Sequence, residues 1–137
     1  MNYLLDTNAC IALIKGKPLT MRAKFQKATD AGAQVFVSSV ALFELLYGVA
    51  KSSRREFNVK RIETFLAGPV HPLPFEEGDA EIAGAIRADL ETKGKPIGAY
   101  DLLIAGQAIR NKLTLITANL SEFARIKELA WADWGKP

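Results

Sequence analysis

Short runs of aliphatic, aromatic and β-branched residues alternate along the chain with longer stretches whose apolar residues recur every three or four positions. That alternation predicts an α/β fold with a mainly parallel sheet. Asn2 to Leu5 predicts the first strand, which leads through Asp6-Thr7-Asn8 into a short helix over Ala9 to Ile14 that Gly16 and Pro18 end. A second helix, from about Leu19 to Asp30, sets Met21, Phe25 and Ala28 on one face, and Gly32 closes it. Gln34 to Ser38 predicts strand two, with Ser39 as N-cap of a helix over Val40 to Ala50. This helix is apolar nearly all round, so burial is expected, Tyr47 included.

Val59, Ile62 and Leu66 give Arg54 to Ala67 helical spacing before Gly68-Pro69 breaks it. A short strand follows around Val70 to Leu73, which Pro72 and Pro74 mark as an edge or a brief strand. Glu76 to Thr92 predicts an amphipathic helix striped by Ile82, Ile86 and Leu90, and Lys93-Gly94-Lys95-Pro96 a loop. A helix over Tyr100 to Arg110, a strand over Leu113 to Thr117 and a last short strand near Leu129 to Trp131 complete the reading. The expected architecture is a set of βα units around a sheet of about five strands, flanked by helices.

With 137 residues the chain is expected to form a single domain around one core. Its one cysteine, Cys10, cannot make an intrachain disulfide, which fits a reducing, cytoplasmic setting. No run approaches the ~20 apolar residues of a membrane span, because Glu44 and Asp101 interrupt the greasiest segments. The start meets Asp6 without a basic leader, so neither secretion nor a membrane role is expected. A net charge of +3, from 18 basic against 15 acidic residues, permits a nucleic-acid partner without requiring one.

Three acids change this picture. Asp6 follows Tyr3-Leu4-Leu5, Glu44 sits inside Leu42-Phe43-Glu44-Leu45-Leu46, and Asp101 lies in Ala99-Tyr100-Asp101-Leu102-Leu103. Carboxylates are almost never buried unless paired or metal-bound. Asp6 falls where strand one ends, the edge at which open α/β sheets bind ligands. Asp101 falls in the first turn of its helix and Glu44 about one turn into the helix leaving strand two, so all three can converge. Two carboxylates ~4 Å apart repel by roughly 4 kcal/mol at an effective dielectric of 20. Such a group must raise its pKa values or recruit a cation. Oxygen donors select Mg²⁺, with Mn²⁺ also suitable, whereas one His and one Cys do not make a zinc site. Magnesium held by few carboxylates keeps several waters and works on phosphates, which points to phosphodiester chemistry. Each acid also has a purely local role open to it: Asp6 as a helix cap, Asp101 as a complement to the helix dipole, Glu44 as a partner of Lys51.

These segments also resemble a known family. Leu5-Asp6-Thr7-Asn8, Phe43-Glu44-Leu45-Leu46-Tyr47-Gly48, Gly98-Ala99-Tyr100-Asp101-Leu102-Leu103-Ile104-Ala105, Leu115-Ile116-Thr117-Ala118-Asn119 with Glu122-Phe123, and Ala132-Asp133-Trp134 are similar, in this order and from end to end, to the PIN-domain ribonucleases. The likeness is strongest to the VapC toxins of bacterial type II toxin–antitoxin modules. It implies a single PIN-like domain, a Mg²⁺-dependent endoribonuclease with Asp6, Glu44 and Asp101 as its acidic metal-binding core, and inhibition by a cognate VapB-type antitoxin. It further implies a homodimer, larger complexes with the antitoxin, and structured RNA such as tRNA as substrate. Many PIN domains carry a fourth acid just after strand four. Here that position is Asn119, with Glu122 three residues on as the candidate replacement, which leaves one or two metal ions open.

Thr7, Asn8, Thr117 and Asn119 are candidates for phosphate contacts or for bonds that orient the acids. Lys51, Lys93 and Lys95 adjoin the acidic helices and are candidate RNA contacts. Two other classes stay open: a receiver-type Mg²⁺-dependent phosphoacceptor, although Val70-His71-Pro72-Leu73-Pro74-Phe75 offers no acid at the third strand, and a catalytically silent PIN-like binding module.

Overall fold

The computed structural model describes all of residues 1–137. Five short strands, β1 (Tyr3–Leu5), β2 (Val35–Ser38), β3 (His71–Leu73), β4 (Thr114–Ile116) and β5 (Trp131–Ala132), form one all-parallel sheet in the order β3-β2-β1-β4-β5. The helices are α1 (Thr7–Lys15), α2 (Leu19–Asp30), α3 (Ser39–Lys51), α4 (Arg55–Leu66), α5 (Glu77–Thr92), α6 (Ala99–Arg110) and the short α7 (Leu120–Phe123). The chain leaves β1 toward β2 on one side, while β4 pairs on its other side, so the topological switch point lies between β1 and β4.

Period-two alternation splits the core between the two faces of the sheet. Leu4 and Leu115 face the layer of α5 and α6, with Ile104, Ala108 and Phe123. Leu5 and Ile116 face the layer of α1 to α4, with Leu13, Leu45, Ile62 and Trp134. β3 pairs only with β2, the edge that its prolines require.

Several boundaries differ from the sequence reading. The last strand lies later than expected, and α7 was not anticipated because its four residues carry no helical period. Ser38, not Ser39, caps α3, its hydroxyl accepting from the Val40 amide at 2.9 Å, while the Ser39 hydroxyl accepts from the Phe75 amide at 3.1 Å. The expected burial of α3 is wrong: Ala41 and Leu45 pack inward, but Phe43, Leu46 and Tyr47 stand 52%, 48% and 57% exposed.

Two buried polar clusters lock the elements that carry the acids. The Ser38 hydroxyl donates to Gln107 Oε1, and Gln107 Nε2 donates to the Leu73 carbonyl at 3.1 Å, tying α6 to the ends of β2 and β3. Asp79, fully buried in α5, accepts from the Glu76 amide at 2.8 Å in a capping box, and Arg110 and Asn111 at the end of α6 lie at 3.4 and 3.5 Å from it. Between these clusters α5 and α6 touch backbone to backbone at Gly106. A Cβ there would lie 2.9 Å from both Ala83 Cβ and the Asp79 carbonyl, whereas at Gly84 it would meet nothing within 4 Å.

Gly106→Ala should therefore cost ~1–3 kcal/mol by overpacking, whereas Gly84→Ala, on an exposed position of the same pair, should gain ~0.5–1 kcal/mol from helix propensity. Urea denaturation of the two variants checks the opposite signs.

Candidate metal centre

A single residue, Asp6, separates β1 from α1. Its extended backbone (φ −75°, ψ 174°) lets Oδ1 accept from the Ala9 amide at 2.7 Å, so it caps α1 as the local reading allowed. Capping explains one oxygen but not a carboxylate 4% exposed at the sheet's switch point. Thr117, just past β4, bonds the Asp6 carboxyl with its own hydroxyl, which also accepts from the Asn119 amide at 2.9 Å. The adjacent ends of two parallel strands thus fix this acid.

Glu44 arrives from α3 and accepts a hydrogen bond from the Thr7 hydroxyl at 2.5 Å. It makes no ion pair with Lys51, whose ammonium sits over the Tyr47 ring at 5.0 Å. Asp101 arrives in the first turn of α6 and shares a hydrogen bond with Glu122, which in turn accepts from Asn119 Nδ2 at 3.1 Å. Phe43 and Tyr100, the neighbours of Glu44 and Asp101, meet edge-to-face with centroids 5.6 Å apart and bridge α3 to α6. Tyr47 and Tyr100 both stand exposed beside these acids, against the helical burial that was the default for them and in keeping with the alternative, a contact to substrate.

The carboxyl groups sense one another. Asp101 is pushed up to about 7, first by burial, then by the hydrogen bond and charge of Glu122, then by the charges of Asp6 and Glu44. Asp6 is also raised, by burial above all and further by Glu44 and Asp133, against the lowering effect of its bonds from Thr117 and Ala9. Nothing basic offsets them. The ion pairs of the molecule join Arg87 to Glu91, Lys93 to Asp89, and Arg110 to Glu76 and Asp79, none of which belongs to this group. No three of the acids stand close enough to enclose one ion by themselves. Such an open set of oxygens suits a cation that keeps most of its waters, as Mg²⁺ does, rather than one needing a closed protein cage.

Thr7 and Thr117 are engaged with Glu44 and Asp6, and Thr117 is 1% exposed. Asn8 is exposed on the first turn of α1, and Asn119 links the Asp6 and Glu122 sides. Lys93 pairs with Asp89 at 3.0 Å, Lys95 is exposed, and Lys51 lies two turns beyond Glu44. Asp133, which the sequence offered only as part of the string Ala132-Asp133-Trp134 and without a role at the site, reaches Asp6 electrostatically. Its signal was adjacency to Trp134, a buried ring tilted against Tyr3 and Phe25 that pins this segment beside β1.

With this geometry in view, residues 3–129 match the PIN domain family. The chain is 40% identical over 134 residues to a tRNA(fMet)-specific endonuclease VapC of Salmonella typhimurium, covering 98% of each sequence. It is 37% identical over 136 residues to ribonuclease VapC2 of Rickettsia felis, covering 99% of this chain and 100% of the relative. Among solved structures, VapBC2 of Rickettsia felis bound to a promoter DNA fragment superposes with a TM-score of 0.91 at 35% identity, covering 98% of this chain and 99% of that one. DNA-bound VapBC of Salmonella typhimurium gives 0.89 at 40% identity, with 98% of each chain covered. PIN-domain nucleases are in general divalent-metal dependent. The chain therefore belongs to the PIN-domain family, among its VapC ribonucleases.

Proposed function

We propose that this chain is the toxin of a type II toxin–antitoxin pair, a Mg²⁺-dependent endoribonuclease that hydrolyses structured RNA, tRNA in the first instance, and that a VapB-type antitoxin holds it inactive. The observation that carries the metal-dependent chemistry is the set of carboxylates at the β1–β4 switch point with no basic partner. The tRNA substrate is that of the Salmonella relative, and the antitoxin partner is that of the solved VapBC complexes.

Asp6 and Asp101 are the residues that would hold Mg²⁺, or Mn²⁺, with Glu122 beside Asp101 as a further oxygen donor. When bound, the ion supplies charge neutralisation at the phosphoryl oxygens and a more acidic water. The remaining work falls to the chain. Ala9 and Thr117 hold the Asp6 carboxylate in one orientation. Thr7 holds Oε1 of Glu44, which leaves Oε2 to orient the attacking water and accept its proton. Asn119 keeps Glu122 turned toward Asp101. Without a cation the same acids would repel an RNA phosphate.

Two surfaces support the partner assignments. A groove of about 300 Å³ between α1, α3 and α4, walled by Ile11, Ile14, Leu45 and Ile62, runs to Glu44, so a peptide lying in it would cover that acid. The exposed Phe43, Leu46, Tyr47 and Tyr100 give an apolar face of the kind a homodimer buries.

Asp6→Asn and Asp101→Asn should each lower RNA cleavage by at least ~100-fold with the circular-dichroism spectrum unchanged, and chelation should abolish cleavage by the parent until Mg²⁺ is returned. A variant that cuts like the parent would remove its residue from the centre.

A stability prediction follows from the raised Asp101. Its carboxyl ionises near ~4 in the unfolded chain but at about 7 in the folded one, so ionisation destabilises the metal-free fold progressively from pH ~4 to 7 and fully above that. Asp101→Asn removes this penalty. The metal-free variant should melt a few degrees higher than the parent at pH 8, a gain on the order of 1 kcal/mol after solvent screening, and the difference should shrink toward pH 4.

A further inference from the structure

Beside Asp6 lies a second concavity, of about 320 Å³, whose lining includes neither Glu44 nor Asp101. Ala12 of α1, Met21 of α2 and Ile116 of β4 form its apolar walls, and Asn8, Asp133 and Lys136 its polar groups. Thr117 lines it too and bonds the Asp6 carboxyl, so the pocket and the metal centre share a wall.

The pocket is built rather than incidental. Trp134 is buried against Tyr3 and Phe25, which anchors the preceding aspartate. The Gly135 amide donates to Asp133 Oδ1 at 2.8 Å, and a Cβ at position 135 would lie 3.1 Å from that oxygen, so glycine permits the close turn. Lys24 Nζ donates to the Lys136 carbonyl and fastens the far side of the turn to α2. The Asp133 carboxylate is thereby fixed, with accepting capacity left on both oxygens.

The chemistry of the lining selects the occupant. The volume is at the small end of ligand pockets, room for one planar ring system between apolar walls. Lys136 by itself would suit a phosphate but Asp133 on the same lining opposes one, whereas a base with N–H donors satisfies the carboxylate and can offer an acceptor to the lysine. Guanine is the base that turns two adjacent donors, N1–H and N2–H, toward one carboxylate, with O6 beside them for a donor such as the Asn8 amide or Lys136. We propose that this pocket receives a guanine next to the scissile phosphate and reads it through Asp133. The inference rests on the ribonuclease reading above and adds a base preference to it.

The test is cleavage of a randomised RNA pool by the Mg²⁺-loaded protein, with the new ends sequenced. The parent should show guanine enriched at one fixed position adjoining the cut. Asp133→Asn keeps the acceptor for Gly135 and the volume of the side chain, but replaces one acceptor oxygen by a donor. It should reduce kcat/KM on guanine-containing sites ~10- to 100-fold and erase the enrichment. Ala12→Leu, which fills the pocket from α1, should erase it as well. In the cleavage-dead Asp6→Asn background, guanosine 5′-monophosphate should bind more tightly than cytidine 5′-monophosphate, and Asp133→Asn should remove the difference. Cleavage without guanine at a fixed position, or enrichment and nucleotide preference that survive Asp133→Asn, would overturn this inference alone. A parent that cuts no RNA would overturn the ribonuclease reading with it.

Discussion

The burial of Asp6 at one edge of a parallel sheet, with the half-buried carboxyls of Glu44, Asp101 and Glu122 around it, is the constraint around which this molecule is organised. Asp6, Glu44, Asp101 and Glu122 come from four different segments; the first two and Glu122 are held by neutral donors, Asp101 by the bond it shares with Glu122, and none by a cationic side chain. Threonine hydroxyls, an asparagine amide and a backbone N–H fix the orientations without cancelling the charge. The negative potential is left standing, which is what a site for a hydrated divalent ion requires.

The same chain shows how it treats an acid meant only for structure. Asp79 is as thoroughly buried as Asp6, but it accepts from its own helix start and faces Arg110 and Asn111 across the α5–α6 packing. That carboxylate closes a network in which a guanidinium answers its charge and that of Glu76. The contrast separates burial that is compensated from burial that is kept under tension, and only the second kind gathers at the switch point between β1 and β4. The scaffold makes the tension bearable. Gln107 clamps α6 to the ends of β2 and β3, the close contact at Gly106 fixes α6 against α5, and Ser38 caps the helix that presents Glu44.

Much of this was legible from residue order because hydrophobic period and strand-end position are local properties. The α/β alternation, the parallel sheet and the edge character of β3 followed from the pattern of apolar runs and from two prolines. The three acids stood out because each interrupted a run of apolar residues. Exposure of α3 was not legible: an apolar helix surface reads the same whether a core or another molecule covers it, and Phe43, Leu46 and Tyr47 face outward. Nor were the partners of the acids. That Thr7 would take Glu44 and Thr117 would take Asp6 depends on the register that pairs Leu5 with Ile116, a relation spanning the whole chain. The nearness of Asp133 to Asp6 was hidden for the same reason, since only the packing of Trp134 against Tyr3 brings it there.

The most direct test of this account is a calorimetric titration of the metal-free protein with Mn²⁺ at neutral pH, repeated on Asp6→Asn. Saturable binding by the parent that weakens at least ~10-fold when Asp6 loses its charge is the predicted result. A parent that binds no divalent ion, or one whose binding is indifferent to Asp6, would contradict it.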